Sequence, residues 1–122
     1  MTDRAAALRS LEDELEHRRR EVDARIARFD HDDAMLRRDR ADGTADDEHD
    51  PEGSTLSGEW TQVQALRRAA LAERAELDAA RERVAQGTYG VCISCGAEIP
   101  VARLQARPAA DRCVVCAASV PR

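Results

Sequence analysis

Four cysteines limit what this chain can fold into more than any other feature. They are Cys92, Cys95, Cys113 and Cys116, spaced C-x2-C, a gap of 17 residues, then C-x2-C. Two intervening residues let one tight turn aim both sulfurs at a common point, and two such turns facing each other form a tetrahedral thiolate cage suited to a closed, structural Zn²⁺ site. The chain has no fifth cysteine, and His17, His31 and His49 all lie far upstream. The expected site is therefore one metal held by four thiolates, with no open coordination position. Iron suits the same four thiolates. A single C-x-x-C would suggest redox chemistry, but two at this gap, with Gly96 directly after the second sulfur, point to metal. Disulfides are not expected, because the N-terminal residues contain no apolar signal segment and no apolar run approaches membrane-span length. The expected location is the cytoplasm.

Size and composition favour a thin, helical architecture. The chain has 122 residues, and its only aromatics are Phe29, Trp60 and Tyr89. The hydrophobic fraction of 43% is dominated by alanine, which forms helix well but buries little area. Residues 87–122 are too few to build a stable core unaided, and bound zinc can supply on the order of 10–16 kcal/mol of apparent folding free energy. All 19 basic residues are arginine, and the net charge of −5 disfavours a general nucleic-acid binder. Residues 41–66 contain no arginine but seven acids: Asp42, Asp46, Asp47, Glu48, Asp50, Glu52 and Glu59.

Residues 2–40 are expected to form one long helix. Leu8, Leu15, Val22, Phe29 and Leu36 recur every seven residues, Leu11 and Ile26 widen the stripe, and Thr2 is a candidate N-cap. A second helix is expected to open at Asp50-Pro51-Glu52 and close at Gly87. Leu56, Val63, Ala70, Leu77 and Val84 repeat the same period along it, with Trp60, Leu66 and Leu71 beside them. One loop joins the two stripes, so an antiparallel coiled-coil hairpin is the economical arrangement. Full pairing would match Leu36 with Leu56, Phe29 with Val63, Val22 with Ala70, Leu15 with Leu77 and Leu8 with Val84. The second seam column is expected at Arg18, Arg25 and Asp32, which makes it poor. Trp60 is expected to be partly buried. The fold class is thus all-α dominated: residues 1–86 as a hairpin with an acidic tip at about 38–50, and residues 87–122 as a small four-cysteine finger. Within the finger, residues 100–105 suit a short helix with Ile99, Val101 and Leu104 turned inward and Pro108 ending it. Ala117-Ala118-Ser119 begins a last turn.

The run Gly87-Thr88-Tyr89-Gly90-Val91-Cys92-Ile93-Ser94-Cys95-Gly96, followed by Ile99, Arg103-Leu104, Ala106, Pro108, Ala110 and Cys113-x-x-Cys116, resembles the DksA/TraR family of bacterial zinc-finger proteins. The resemblance implies direct binding to RNA polymerase, with a coiled-coil tip inserted through the secondary channel and an effect on open-complex stability, often together with the alarmone ppGpp. No residue here is assigned to ppGpp. The family's active members carry a tip motif, D-x-x-D-x-A. This chain offers two registers, Asp50-Pro51-Glu52-Gly53-Ser54-Thr55 and Asp47-Glu48-His49-Asp50-Pro51-Glu52. The first lacks the second aspartate and the alanine, and the second lacks only the alanine. Asp47, Asp50 and Glu52 are the candidate partner-binding residues of the tip.

Three functional classes follow. The first is a polymerase-binding transcription regulator, monomeric, without sequence-specific DNA binding or membrane association. The second is an interaction adapter using the same coiled coil and finger. The third is an enzyme or thiol sensor, disfavoured because the sequence holds no nucleophile–base pair and no phosphate-cradling glycine loop.

Overall fold

The computed structural model describes residues 2–43 and 51–119. They form four helices, α1 (Thr2–Gly43), α2 (Pro51–Gln86), α3 (Val101–Ala106) and α4 (Val114–Ser119), with no strand among the described residues. The helix expected over residues 2–40 thus runs to Gly43, and α2 opens at Pro51 as the Asp-Pro-Glu signal implied. None of these helices is long and apolar enough to cross a membrane.

α2 ends on Gly87, whose φ of +78° is costly for any residue with a Cβ. The Gly87 N–H donates to Val84 O and the Thr88 N–H to Arg83 O, the paired bonds of a Schellman cap. The sequence marked this stop correctly.

The chain divides into two compact units. Unit 1 comprises Met1–Arg20 and Ala75–Arg122, and unit 2 comprises Glu21–Arg74. In unit 1 the start of α1 lies antiparallel to the end of α2, linked by Arg81 Nε to Glu16 Oε1 and Arg19 Nε to Asp78 Oδ1, both at 2.6 Å. Leu11, Leu15, Leu77, Ala80, Tyr89, Ile99 and Leu104 are its buried apolar residues, together with Cys92. α3 supplies Leu104 to this core, with Ile99 just ahead of it and Val101 half-buried, as the sequence suggested.

In unit 2 the rest of α1 lies antiparallel to the rest of α2. Arg67 Nε meets Asp30 Oδ1 at 2.6 Å, Arg74 Nη1 meets Asp23 Oδ1 at 3.2 Å, and Arg25 pairs with Glu73. Val22, Ile26 and Ala70 are buried, and Phe29, Leu36, Trp60, Val63 and Leu71 are half-buried. Leu56, the expected partner of Leu36, lies outside the residues whose side chains are described.

The second seam column of α1 departs from the expected one. It runs through Arg19, Ile26 and Asp33, one position later than Arg18, Arg25 and Asp32. The side chains of Arg19 and Asp33 are each 19% exposed, against 42% for Arg18 and 38% for Arg25, and Asp32 is exposed. A four-residue step from Leu15 to Arg19, where a strict heptad takes three, is a local stutter. It brings Ile26, 6% exposed, onto the buried face. The two polar members of the column are satisfied across the helix pair. Asp33 Oδ1 accepts from Trp60 Nε1 and Gln64 Nε2, both at 2.6 Å, while Arg37 pairs with its other oxygen at 3.1 Å.

Candidate metal centre

The first knuckle sits on a short hairpin. Val91 and Glu98 form an antiparallel bridge, and the Cys92 N–H donates to Ala97 O at 2.8 Å. The turn is closed by the Gly96 N–H on Cys92 O at 3.0 Å, with Gly96 at φ +75°. The Cys95 N–H points at Cys92 Sγ across 3.5 Å. A backbone N–H aimed at sulfur favours the thiolate and fixes where it points.

The second knuckle is the first turn of a helix. Cys113 O accepts from the Ala117 N–H at 2.9 Å, so α4 begins at Val114 and carries Cys116 on it. The sequence placed this last turn later, at 117–119. The metal-binding turn is itself helical, and C-x-x-C spacing does not distinguish a helical turn from a hairpin turn. The knuckles are tied together by the Ile93 N–H donating to Asp111 O at 2.8 Å, by Arg112 Nε donating to Ser94 Oγ at 3.1 Å, and by Arg103 Nε donating to Arg112 O at 2.8 Å.

These elements bring all four sulfurs to one place. The Sγ atoms of Cys92, Cys95, Cys113 and Cys116 lie within 4.8 Å of one another, and those of Cys95 and Cys113 are 3.9 Å apart. A tetrahedron with metal–sulfur bonds of about 2.3 Å has sulfurs about 3.8 Å apart, so the donor set fits a zinc ion in size and chemistry. Cys92 is buried, Cys113 and Cys116 are half-buried, and Cys95 faces solvent.

The thiols shift one another as a crowded anion site must. Cys92 is lowered to about 6, chiefly by the backbone N–H of Cys113 and then by that of Cys95. Cys113 is also lowered, first by the backbone N–H of Cys116. Cys116 is pushed up to about 12, first by its contact with the Cys113 thiol and then by those with Cys92 and Cys95. Such a quartet releases its early protons readily and resists losing the last. A divalent cation removes that resistance by compensating the accumulated charge.

The finger is anchored by contacts the sequence did not signal. From α1, Arg4 donates Nη1 to Ile99 O and Nη2 to Gly90 O, both at 2.9 Å, and its Nε lies 3.3 Å from Glu98 Oε2. From α2, Arg83 donates to Ala109 O at 3.3 Å. The Tyr89 hydroxyl donates to Pro108 O at 2.8 Å, and burial pushes its pKa up to about 12. Gly90 has to be small: at φ +86°, a Cβ there would come within 3.2 Å of Leu8 Cδ2 and 3.3 Å of Arg4 Nη2.

Of the tip residues, Asp47 and Asp50 lie outside the described residues. Glu52 falls in the first turn of α2, but its side chain is not among those described.

Residues 87–122 match the family described as the prokaryotic dksA/traR C4-type zinc finger. Residues 87–122 therefore carry a C4-type zinc finger of the dksA/traR kind. As in other C4 fingers of this family, one structural Zn²⁺ belongs to it, and the quartet meets its size and charge requirements. The RNA polymerase-binding transcription factor DksA of Escherichia coli K12 is 49% identical over 35 residues, covering 29% of this chain and 23% of that protein. A protein of Aquifex aeolicus described as uncharacterized is 49% identical over 47 residues, 38% of this chain and 32% of its own. The chain thus spans about a third or less of these curated relatives. The transcription factor DksA2 of Pseudomonas aeruginosa shares the fold: TM-score 0.77 at 24% identity, over 93% of this chain and 81% of that one. The DksA/TraR likeness therefore rests on sequence in the finger and on fold elsewhere.

Proposed function

We propose that this protein binds bacterial RNA polymerase directly and modulates transcription initiation, in the cytoplasm and without enzymatic activity. The observation that carries the proposal is the finger, whose residues 87–122 match the dksA/traR C4-type zinc finger; a factor named for polymerase binding is 49% identical over 35 residues, and the DksA2-like fold extends the likeness over the helices. In this reading residues 87–122 form the base, with Cys92, Cys95, Cys113 and Cys116 as the four zinc ligands. Residues 1–86 form the coiled coil. Asp47, Asp50 and Glu52 at its tip meet the basic surroundings of the polymerase's catalytic Mg²⁺ in the secondary channel. Charge complementarity of that kind steers entry and weakens with salt.

One sequence observation favours a second reading. The tip departs from D-x-x-D-x-A in both registers, which suits an adapter that uses the same helices and finger without regulating polymerase. Co-purification with polymerase from the native host separates the two. The first reading predicts retention of wild type and altered in vitro transcription, with the triple variant D47N/D50N/E52Q losing the transcriptional effect. Failure of wild type to co-purify selects the adapter. Equal binding and equal output by the variant removes the tip's role.

A further inference from the structure

We propose that Arg4 is a positioning residue for the metal centre, setting zinc affinity from the first turn of α1. It rests only on the zinc assignment and is independent of any polymerase role. The first knuckle is carried by the hairpin between Gly90 and Ile99, and the carbonyls of both neck residues accept from Arg4, one from each terminal nitrogen. Gly90 O also accepts from the Ile99 N–H at 2.8 Å, so the three groups close the neck together. The guanidinium's fixed, planar fork can hold two carbonyls at a set separation, which a lysine ammonium cannot. Glu98 flanks the guanidinium, and Gly90 admits Leu8 and Arg4 at close range.

Two residues beyond this neck is Cys92, the most buried sulfur. Its N–H bond to Ala97 O belongs to the same short ladder, beside the Val91–Glu98 bridge. With the neck closed, Cys92 and Cys95 are presented to the other two sulfurs before metal arrives. With the neck open, binding must also order the hairpin. Groups that orient ligands without touching the metal commonly change affinity by about 10–100-fold. Linkage makes the effect reciprocal: metal that favours the closed neck must also hold the first turn of α1 in place.

The test uses the full chain and zinc alone, with affinity read by competition against a chromophoric chelator and amide exchange followed over residues 3–10. Arg4→Ala is expected to bind zinc about tenfold more weakly. Arg4→Lys should recover only part of that loss. Glu98→Gln, which leaves both carbonyl bonds intact, should stay within about threefold of wild type. Arg74→Ala, which removes an interhelical ion pair in unit 2, controls for general destabilisation and should leave affinity unchanged. In wild type, chelation should speed exchange at residues 3–10, and in Arg4→Ala that difference should shrink. Affinity of Arg4→Ala within about twofold of wild type, or an equal loss in Arg74→Ala, overturns the proposal. A wild-type protein that binds no zinc overturns the zinc assignment first and this inference with it, an outcome distinct from either.

Discussion

The two units are built of the same kinds of helix but hold together differently. Unit 1 buries Leu11, Leu15, Leu77, Tyr89, Ile99 and Leu104 and carries a four-thiolate site, with arginines from both long helices fastened to finger carbonyls. Unit 2 buries Val22, Ile26 and Ala70, and its helices meet through exposed ion pairs and the Asp33 cluster. Among the described residues of unit 2 three apolar side chains are buried, one of them alanine, so burial contributes less transfer free energy there than in unit 1. Exposed ion pairs add about 0–1 kcal/mol each. What they supply is register: Asp23 and Asp30, seven residues apart on α1, pair with Arg74 and Arg67 on α2. The difference teaches that one pair of helices can be packed mainly by apolar side chains in one stretch and aligned mainly by charge in another.

Removing the metal should produce the largest effect. Chelation of the native protein, or Cys92→Ser, should abolish amide protection across 87–119 while residues 21–74 change much less. The lost free energy should be on the order of 10 kcal/mol. Equal loss in both units would erase the contrast.

Leu15→Ala comes next. Its side chain is fully buried in unit 1, and truncation should cost about 2–5 kcal/mol in denaturant unfolding of the zinc-loaded protein. Asp33→Ala in unit 2 leaves the Trp60 and Gln64 donors without their shared acceptor and should cost about 1–3 kcal/mol. Trp60 is the sole tryptophan, so a shift in its fluorescence reports the same event. An Asp33→Ala protein with unchanged emission and stability would mean the cluster contributes nothing to alignment.

Tyr89 gives a pH-dependent test of unit 1. Its folded pKa is raised to about 12 from its ordinary value of 10.0, chiefly by burial. Its contribution to stability is therefore complete below pH 10 and lost as pH rises towards 12. Tyr89 is the only tyrosine, so phenolate absorbance should titrate late and together with loss of helical signal in unit 1. Titration near 10 in the folded protein would contradict the buried bond to Pro108. The smallest effect belongs to the ladder: Arg74→Ala should cost less than about 1 kcal/mol, and less still in high salt.

Much of this architecture is written locally in the sequence. The cysteine spacing, Gly87 after a long periodic run, and the apolar heptads of both helices each act over a few residues, so pattern alone exposes them. The charge ladder was not legible, because it is hidden among 19 arginines whose abundance makes any one acid–arginine spacing uninformative. The shift from Arg18 to Arg19 was not legible, because choosing between a three- and a four-residue step depends on which side chain the facing helix accommodates. Arg4 gave no signal at all. Its acceptors are backbone carbonyls 86 and 95 residues away, and a carbonyl carries no sequence mark. The start of α4 was missed because C-x-x-C serves hairpin and helical turns alike.

Whether four sulfurs share one metal ion is measured directly by a paired count of zinc and thiols on native protein. Elemental analysis should find one zinc per chain, with no thiol reactive towards an aromatic disulfide reagent until a chelator is added and four reactive thiols afterwards. Substoichiometric zinc in freshly isolated protein, or four cysteines that stay unreactive after chelation because they are joined as disulfides, would contradict a shared ion.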